Sequence, residues 1–173
     1  MQGYQENKGL LVPVKAKGVY TGAIIRNGKV IDEWEDTNLA VAQGLTSMLG
    51  VYFHGDTQLS LWYIGLFEGN YTPVDGVTAA TIASASTETT AYTSSTRPLY
   101  SPAAAASKAI TNAASRASFT FNADKTIYGA FLISDSTKSG TSGTLFSAAR
   151  FTNSKVVANG DELLMTYAFS LSV

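Results

Sequence analysis

The chain has no cysteine and a single histidine, His54. No disulfide can staple the fold and no thiolate can hold a metal. One histidine without cysteines leaves no zinc constellation. A Ser-His-Asp triad needs a histidine held by a carboxylate and facing a nucleophile. Phe53-His54-Gly55-Asp56 offers no such pattern, and we read His54 as a turn residue. P-loop, dinucleotide and EF-hand motifs are missing, and Gly140-Thr141-Ser142-Gly143 reads as a linker-like turn. The expectation is a protein that is not an enzyme and needs no cofactor and no metal.

Charge is also scarce. Charged residues are 14% of the chain, against about 25% for an average protein. The net charge of −1 gives no bulk attraction to nucleic acid, so no nucleic-acid partner is expected. No apolar run reaches the length of about 18 residues that a membrane span needs, so no membrane partner is expected either. Residues 1–10 are polar and unlike a secretory signal peptide, which predicts use without export. The Asn70-Tyr71-Thr72 sequon then carries little weight. Serine and threonine supply much of the missing polarity. A neutral hydroxyl surface is weakly repelled by other protein surfaces, which suits life inside an assembly.

What is present is apolar alternation. Leu163, Met165, Tyr167, Phe169, Leu171 and Val173 occupy every odd position of the last stretch, with Thr166, Ala168, Ser170 and Ser172 between them. That period of two predicts a strand with one face buried. Asn159-Gly160-Asp161 before it reads as a turn. Phe119 and Phe121 alternate likewise. Residues 126–133 are apolar on both faces, with Ile127, Phe131 and Ile133 against Tyr128, Ala130 and Leu132. They predict a central strand covered on both sides. Residues 145–151 are a shorter candidate. Residues 59–67 read as another central strand, with Gly65 marking a bulge or a close packing site.

Asn27-Gly28 between residues 19–26 and 29–34 predicts a hairpin with a type I′ turn. It would set Ile25 opposite Val30 and Ile24 opposite Ile31. Asp32, Glu33, Glu35 and Asp36 follow. A cation or acid–base site could use them, but a solvated edge or contact with a basic partner is the better reading. Thr37 or Asn38 resembles an N-cap. Leu39, Ala42, Leu45, Met48, Leu49 and Tyr52 then carry helical spacing, so one helix packed on the sheet is expected over 39–52. Gly44 weakens it, and Gly50 or Gly55 is placed to end it.

Two segments fit no period. Residues 1–17 carry Leu10, Leu11, Val12 and Val14 around Pro13, either as a flexible terminus or as an arm adding to a neighbour's sheet edge. Residues 78–96 hold eleven Ser or Thr, five Ala and one charge, Glu88. With Arg97-Pro98-Leu99-Tyr100 and an Ala-rich run to residue 118, they predict a long surface excursion ordered by a partner. At 173 residues a single domain, 1–173, is the natural expectation.

Three blocks together carry a resemblance. They are Asp36-Thr37-Asn38-Leu39 leading to Leu61-Trp62-Tyr63-Ile64-Gly65-Leu66-Phe67, then Thr126-Ile127-Tyr128-Gly129-Ala130-Phe131-Leu132, then Gly160-Asp161-Glu162-Leu163. They resemble the capsid decoration, or cement, proteins of tailed bacteriophages. The resemblance implies an all-β, mainly antiparallel β-sandwich, jelly-roll-like, with one helix. It also implies a homodimer or homotrimer that clamps the major capsid protein on the outer capsid surface of the virion after synthesis in the host cytoplasm. The contacts would come from Leu10, Leu11, Val12, Val14, Arg97 and Tyr100. A tail or tail-associated virion protein is the alternative. A carbohydrate-binding module stacking sugars on Trp62, Tyr63 and Tyr71 is a third reading.

Overall fold

A computed structural model describes residues 13–173. Leu10, Leu11 and Val12 lie outside the described residues. Two antiparallel sheets face each other as a β-sandwich. The first runs β2 (Lys29–Thr37), β1 (Lys15–Arg26), β10 (Glu162–Ser172) and β6 (Ala109–Thr111), with β7 (Ala117–Thr120) also on β10. The second runs β3 (Leu39–Ala40), β9 (Leu145–Val157), β8 (Lys125–Ile133), β4 (Trp62–Phe67) and β5 (Leu99–Tyr100). Lys15 to Lys17 pair with Ser172 to Ser170, so the sheet takes up three residues assigned above to an arm.

β10 follows its alternation. Leu163, Met165, Tyr167 and Phe169 face inward and are buried, while Leu171 and Val173 run out into solvent. They meet Tyr20 and Ile24 of β1, Ile64 and Leu66 of β4, and Ala149 and Phe151 of β9 in the core between the sheets. β8 is covered on both faces, as its composition predicts. Its faces divide differently, because the β8–β9 ladder shifts register at Tyr128: Ile127 pairs with Lys155 but Gly129 with Arg150. A shift of this kind turns the following side chains over. Ile127 therefore joins Ala130 and Leu132 between the sheets, whereas Phe131 and Ile133 face outward. Gly65 is a close packing site, since a Cβ there would enter the Phe131 ring.

The first hairpin turns at Asn27 (φ 51°) and Gly28 (φ 73°), both left-handed as a type I′ turn requires. Ile25 lies opposite Val30. Ile24, however, pairs with Asp32, because a bulge leaves Ile31 unpaired and exposed. Two of the four carboxylates bridge the sheets. The Asp36 carboxylate accepts from the amide (3.0 Å) and hydroxyl (2.6 Å) of Thr152, and Lys155 Nζ lies 3.0 Å from Asp32. Glu33 and Glu35 stay exposed.

The expected helix is shorter and its cap differs. Thr37 ends β2. Asn38 is held by Gly18 O through its amide and by the Tyr167 hydroxyl through its side chain, and Leu39–Ala40 pair with β9. Helix α1 (Ala42–Leu49) starts after Val41 and makes no side-chain cap bond. Gly44 is the close-approach point: a Cβ there would lie 2.5 Å from the Phe146 Cα. Beyond it, Gly50–His54 form a π-helical turn closed by Gly55 at φ 78°.

The excursion expected over 78–118 is largely built into the fold. Helix α2 (Ala79–Ser86), a second helix, opens with a reciprocal capping box between Thr78 and Thr81. Its Ala79 and Ile82 cover the outward Phe131 and Ile133 of β8, with Val41, Phe67, Val77 and Leu145. The residues that follow are pinned by a buried ion pair. Arg97, 1% exposed, donates from Nε and Nη2 to Glu88 at 2.8 Å each, and from Nη1 to Asp135 O at 2.8 Å. Among the described residues no helix is long and apolar enough to cross a membrane.

Candidate partner interface

The two ends of the sandwich differ in chemistry. At one end β1 finishes and β10 begins. There Arg26 donates to both oxygens of Asp161 (2.8 and 2.7 Å), and the Ala158 amide donates to the same carboxylate at 2.8 Å. Arg26 first, then the Ala158 amide, hold the Asp161 carboxyl below its usual range against the opposing effect of burial.

At the other end β10 finishes while β4 and β9 begin, and the sheets splay around a groove of about 400 Å³. Met48, Trp62, Tyr100, Ile110, Phe146 and Phe169 line it, and no lining residue is charged. Aromatic edges build its walls: Phe146 meets Phe169 at 5.1 Å and Trp62 at 5.8 Å between ring centroids. Tyr100 and Tyr167 stand at its base, and Tyr20 packs on Tyr167 with ring centroids 4.6 Å apart. Tyr20 and Ser147 hydroxyls are 2.9 Å apart, and Asn38 Nδ2 donates to Tyr167 at 3.2 Å. Burial pushes all three phenols up, Tyr167 to about 12, so they stay neutral at physiological pH. The buried Tyr100 hydroxyl has no hydrogen-bond partner among the described residues.

The rim of this groove carries exposed aromatic side chains. Tyr52 and Phe53 of the π-helical turn are 81% and 78% exposed and pack edge to face at 4.9 Å. Leu49, just before the π-helical turn, and Leu61, just before β4, are each about half exposed. His54 Nδ1 lies 2.9 Å from Asp56 at the margin, both solvent-exposed. The helical spacing places Tyr52 on a packed face. The π turn, with its i→i+5 bonds, takes an extra residue and rotates that side chain outward. Two adjacent aromatics before His54-Gly55 are the signal that could have marked this rim.

Of the expected contact residues, Val14 is exposed at 67% just before β1. Arg97 and Tyr100 are corrections, because neither reaches the surface: Arg97 is spent on Glu88, and Tyr100, 7% exposed, stands under the groove. Trp62, Tyr63 and Tyr71 form no shared platform. Trp62 packs against the inter-sheet core, whereas Tyr71 packs on Phe67 across the outer face of the second sheet. Among the described residues no group of three or more His, Asp or Glu is placed to hold a metal ion. No protein-family model matches the chain, and no curated protein is significantly similar to it.

Proposed function

We propose that this protein is a structural virion component that binds and reinforces the major capsid shell of a tailed phage, acting as a homo-oligomer on the outer capsid surface. The observation that carries the reading is the apolar groove end, with Tyr52 and Phe53 held out to solvent around a groove that has no charged lining residue among those described. Such an end is suited to contact and not to reaction chemistry. The choice of a capsid shell as the partner comes from the resemblance of the three sequence blocks. Leu10, Leu11, Val12 and Val14 precede β1, and β1 starts at this same end, because Gly18 pairs with Phe169 of the groove. In this reading those four residues make the shell contact.

The mechanism is that of a clamp. When a second protein bridges two shell subunits, its contacts must break together with theirs, and a standard interface buries about 1,600 Å². Binding to the assembled state stabilises it by mass action, and symmetry repeats the gain over the shell.

Undecorated shells mixed with the full chain, and with a chain lacking residues 1–14, test the proposal. The truncation stops short of Lys15 because β1 begins there. The full chain should fill symmetry-repeated sites and the truncated chain should bind weakly. Binding confined to the tail axis, or none, overturns the capsid reading. Full occupancy by the truncated chain overturns the role of the four residues.

A further inference from the structure

We infer that the groove end is a self-association face, in which Tyr52 and Phe53 of each copy seat in the groove of a second copy about a two-fold axis. An isologous interface requires that the projecting and the receiving surfaces lie on the same face of one chain. Here they adjoin: Tyr52 is both a wall of the groove and, with Phe53, its most exposed rim. The sizes agree. A dry cavity of about 150 Å³ holds one benzene ring, and this groove offers about 400 Å³.

Charge in the groove does not oppose a second copy. A two-fold axis brings like charges of a patch toward one another, and like charges directly apposed repel. Among the described residues the groove lining has no charged residue; the His54–Asp56 pair follows Phe53, and the exposed Lys15, Lys17 and Lys108 stand outside the lining, where β1 and β6 begin beside β10. Area is sufficient as well. Aromatic side chains bury about 150–250 Å² each. Two of them four-fifths exposed supply roughly a third or more of the 800 Å² or so per partner in a standard interface. The groove mouth and Leu49, half exposed just before the π-helical turn, supply the remainder. This deepens the proposed function, which rests on a homo-oligomer, by naming the face that pairs.

The test is made in solution without shells, so it can fail while shell binding stands, and the reverse. Sedimentation equilibrium of the full chain at tens of micromolar should give a dimer. Replacing both rim aromatics, Tyr52→Ser with Phe53→Ser, should raise the dissociation constant on the order of 30-fold or more, the size of a hot-spot loss. Gln58→Asp is the second variant. Gln58 is an exposed groove residue, so the fold should tolerate the change, and the new charge should also weaken pairing. A monomeric full chain overturns the inference. So does a dimer whose dissociation constant is unmoved by both variants, since it pairs through another face. A monomer that dimerises only after removal of residues 1–14 would show those residues to be the occupant, and overturns it equally.

Discussion

Two arginines in this chain grip carboxylates in the same two-pronged way, yet their surroundings are opposite. Arg97 and Glu88 are both shut off from water in the middle of the Ser/Thr-rich segment. Arg26 holds Asp161 at the turn end of the sandwich with its side chain 43% exposed. The hydrogen-bond geometry is nearly equal, so geometry does not rank them. Desolvation does. Water can replace Arg26 around its partner, but nothing can replace Arg97 around Glu88. The buried pair also organises more chain: Arg97 donates to Asp135 O and Gly140 O, and Glu88 accepts from the Ser139 amide. The β8–β9 loop and the segment after α2 are thus fastened at one point.

The largest effect is expected from Arg97→Met. It leaves a carboxylate buried without a counter-charge and two carbonyls without a donor. The loss should be about 3–5 kcal/mol in urea unfolding. A loss under about 1 kcal/mol would mean that the segment is held by Ile82 and Tyr92 and not by the pair.

Gly28→Val comes next and probes the other end without touching its ion pair. Gly28 has open space around it, so only its left-handed φ of 73° is at stake. A β-branched residue resists that conformation. The cost should be about 1–3 kcal/mol. Wild-type stability in this variant would show that the turn end tolerates backbone change as well as charge loss.

Thr78→Ala removes the capping box of α2 while leaving Arg97–Glu88 in place, and should cost about 1 kcal/mol. An effect as large as that of Arg97→Met would mean that helix and ion pair melt as one unit.

These contrasts also mark what the sequence displays. β10, the Asn27-Gly28 turn and the doubly covered β8 were legible because each follows from a local rule, either a period or a required φ. The faces of β8 were not, because the register shift at Tyr128 depends on its pairing with β9. The segment 78–118 has no period because it is anchored by contacts distant in sequence: Arg97 reaches Asp135 and Gly140, and Asn112 Oδ1 accepts from the Tyr167 amide. Its small residues serve close packing and local hydroxyl bonds, such as Ser86 Oγ donating to Ile82 O, and these look like low complexity in one dimension. Of the candidate interface, Val14 was legible as an apolar residue with no place in the core. Tyr52 was placed on the wrong face because helical spacing cannot foresee a π turn. Arg97 reads as a surface contact because a lone arginine beside Pro98 shows no partner until the fold brings Glu88 to it.

The smallest effect belongs to the pair whose arginine is half exposed, and acid isolates it. The Asp161 carboxyl is held below its usual value first by Arg26 and then by the Ala158 amide. A carboxyl with a depressed folded value adds stability above its unfolded value, about 3.9, and that stability is lost as the pH falls through the folded value. Arg26→Met removes the leading cause, so the variant has less of this stability to lose. Urea midpoints of the two proteins should therefore differ by a small, steady amount from about pH 5 to 7 and converge below about pH 4. Because Arg26 is nearly half exposed, added salt should shrink the neutral-pH difference as well. A difference that widens in acid would mean that protonated Asp161 still depends on Arg26. The two arginine forks would then be closer in kind than their exposure implies.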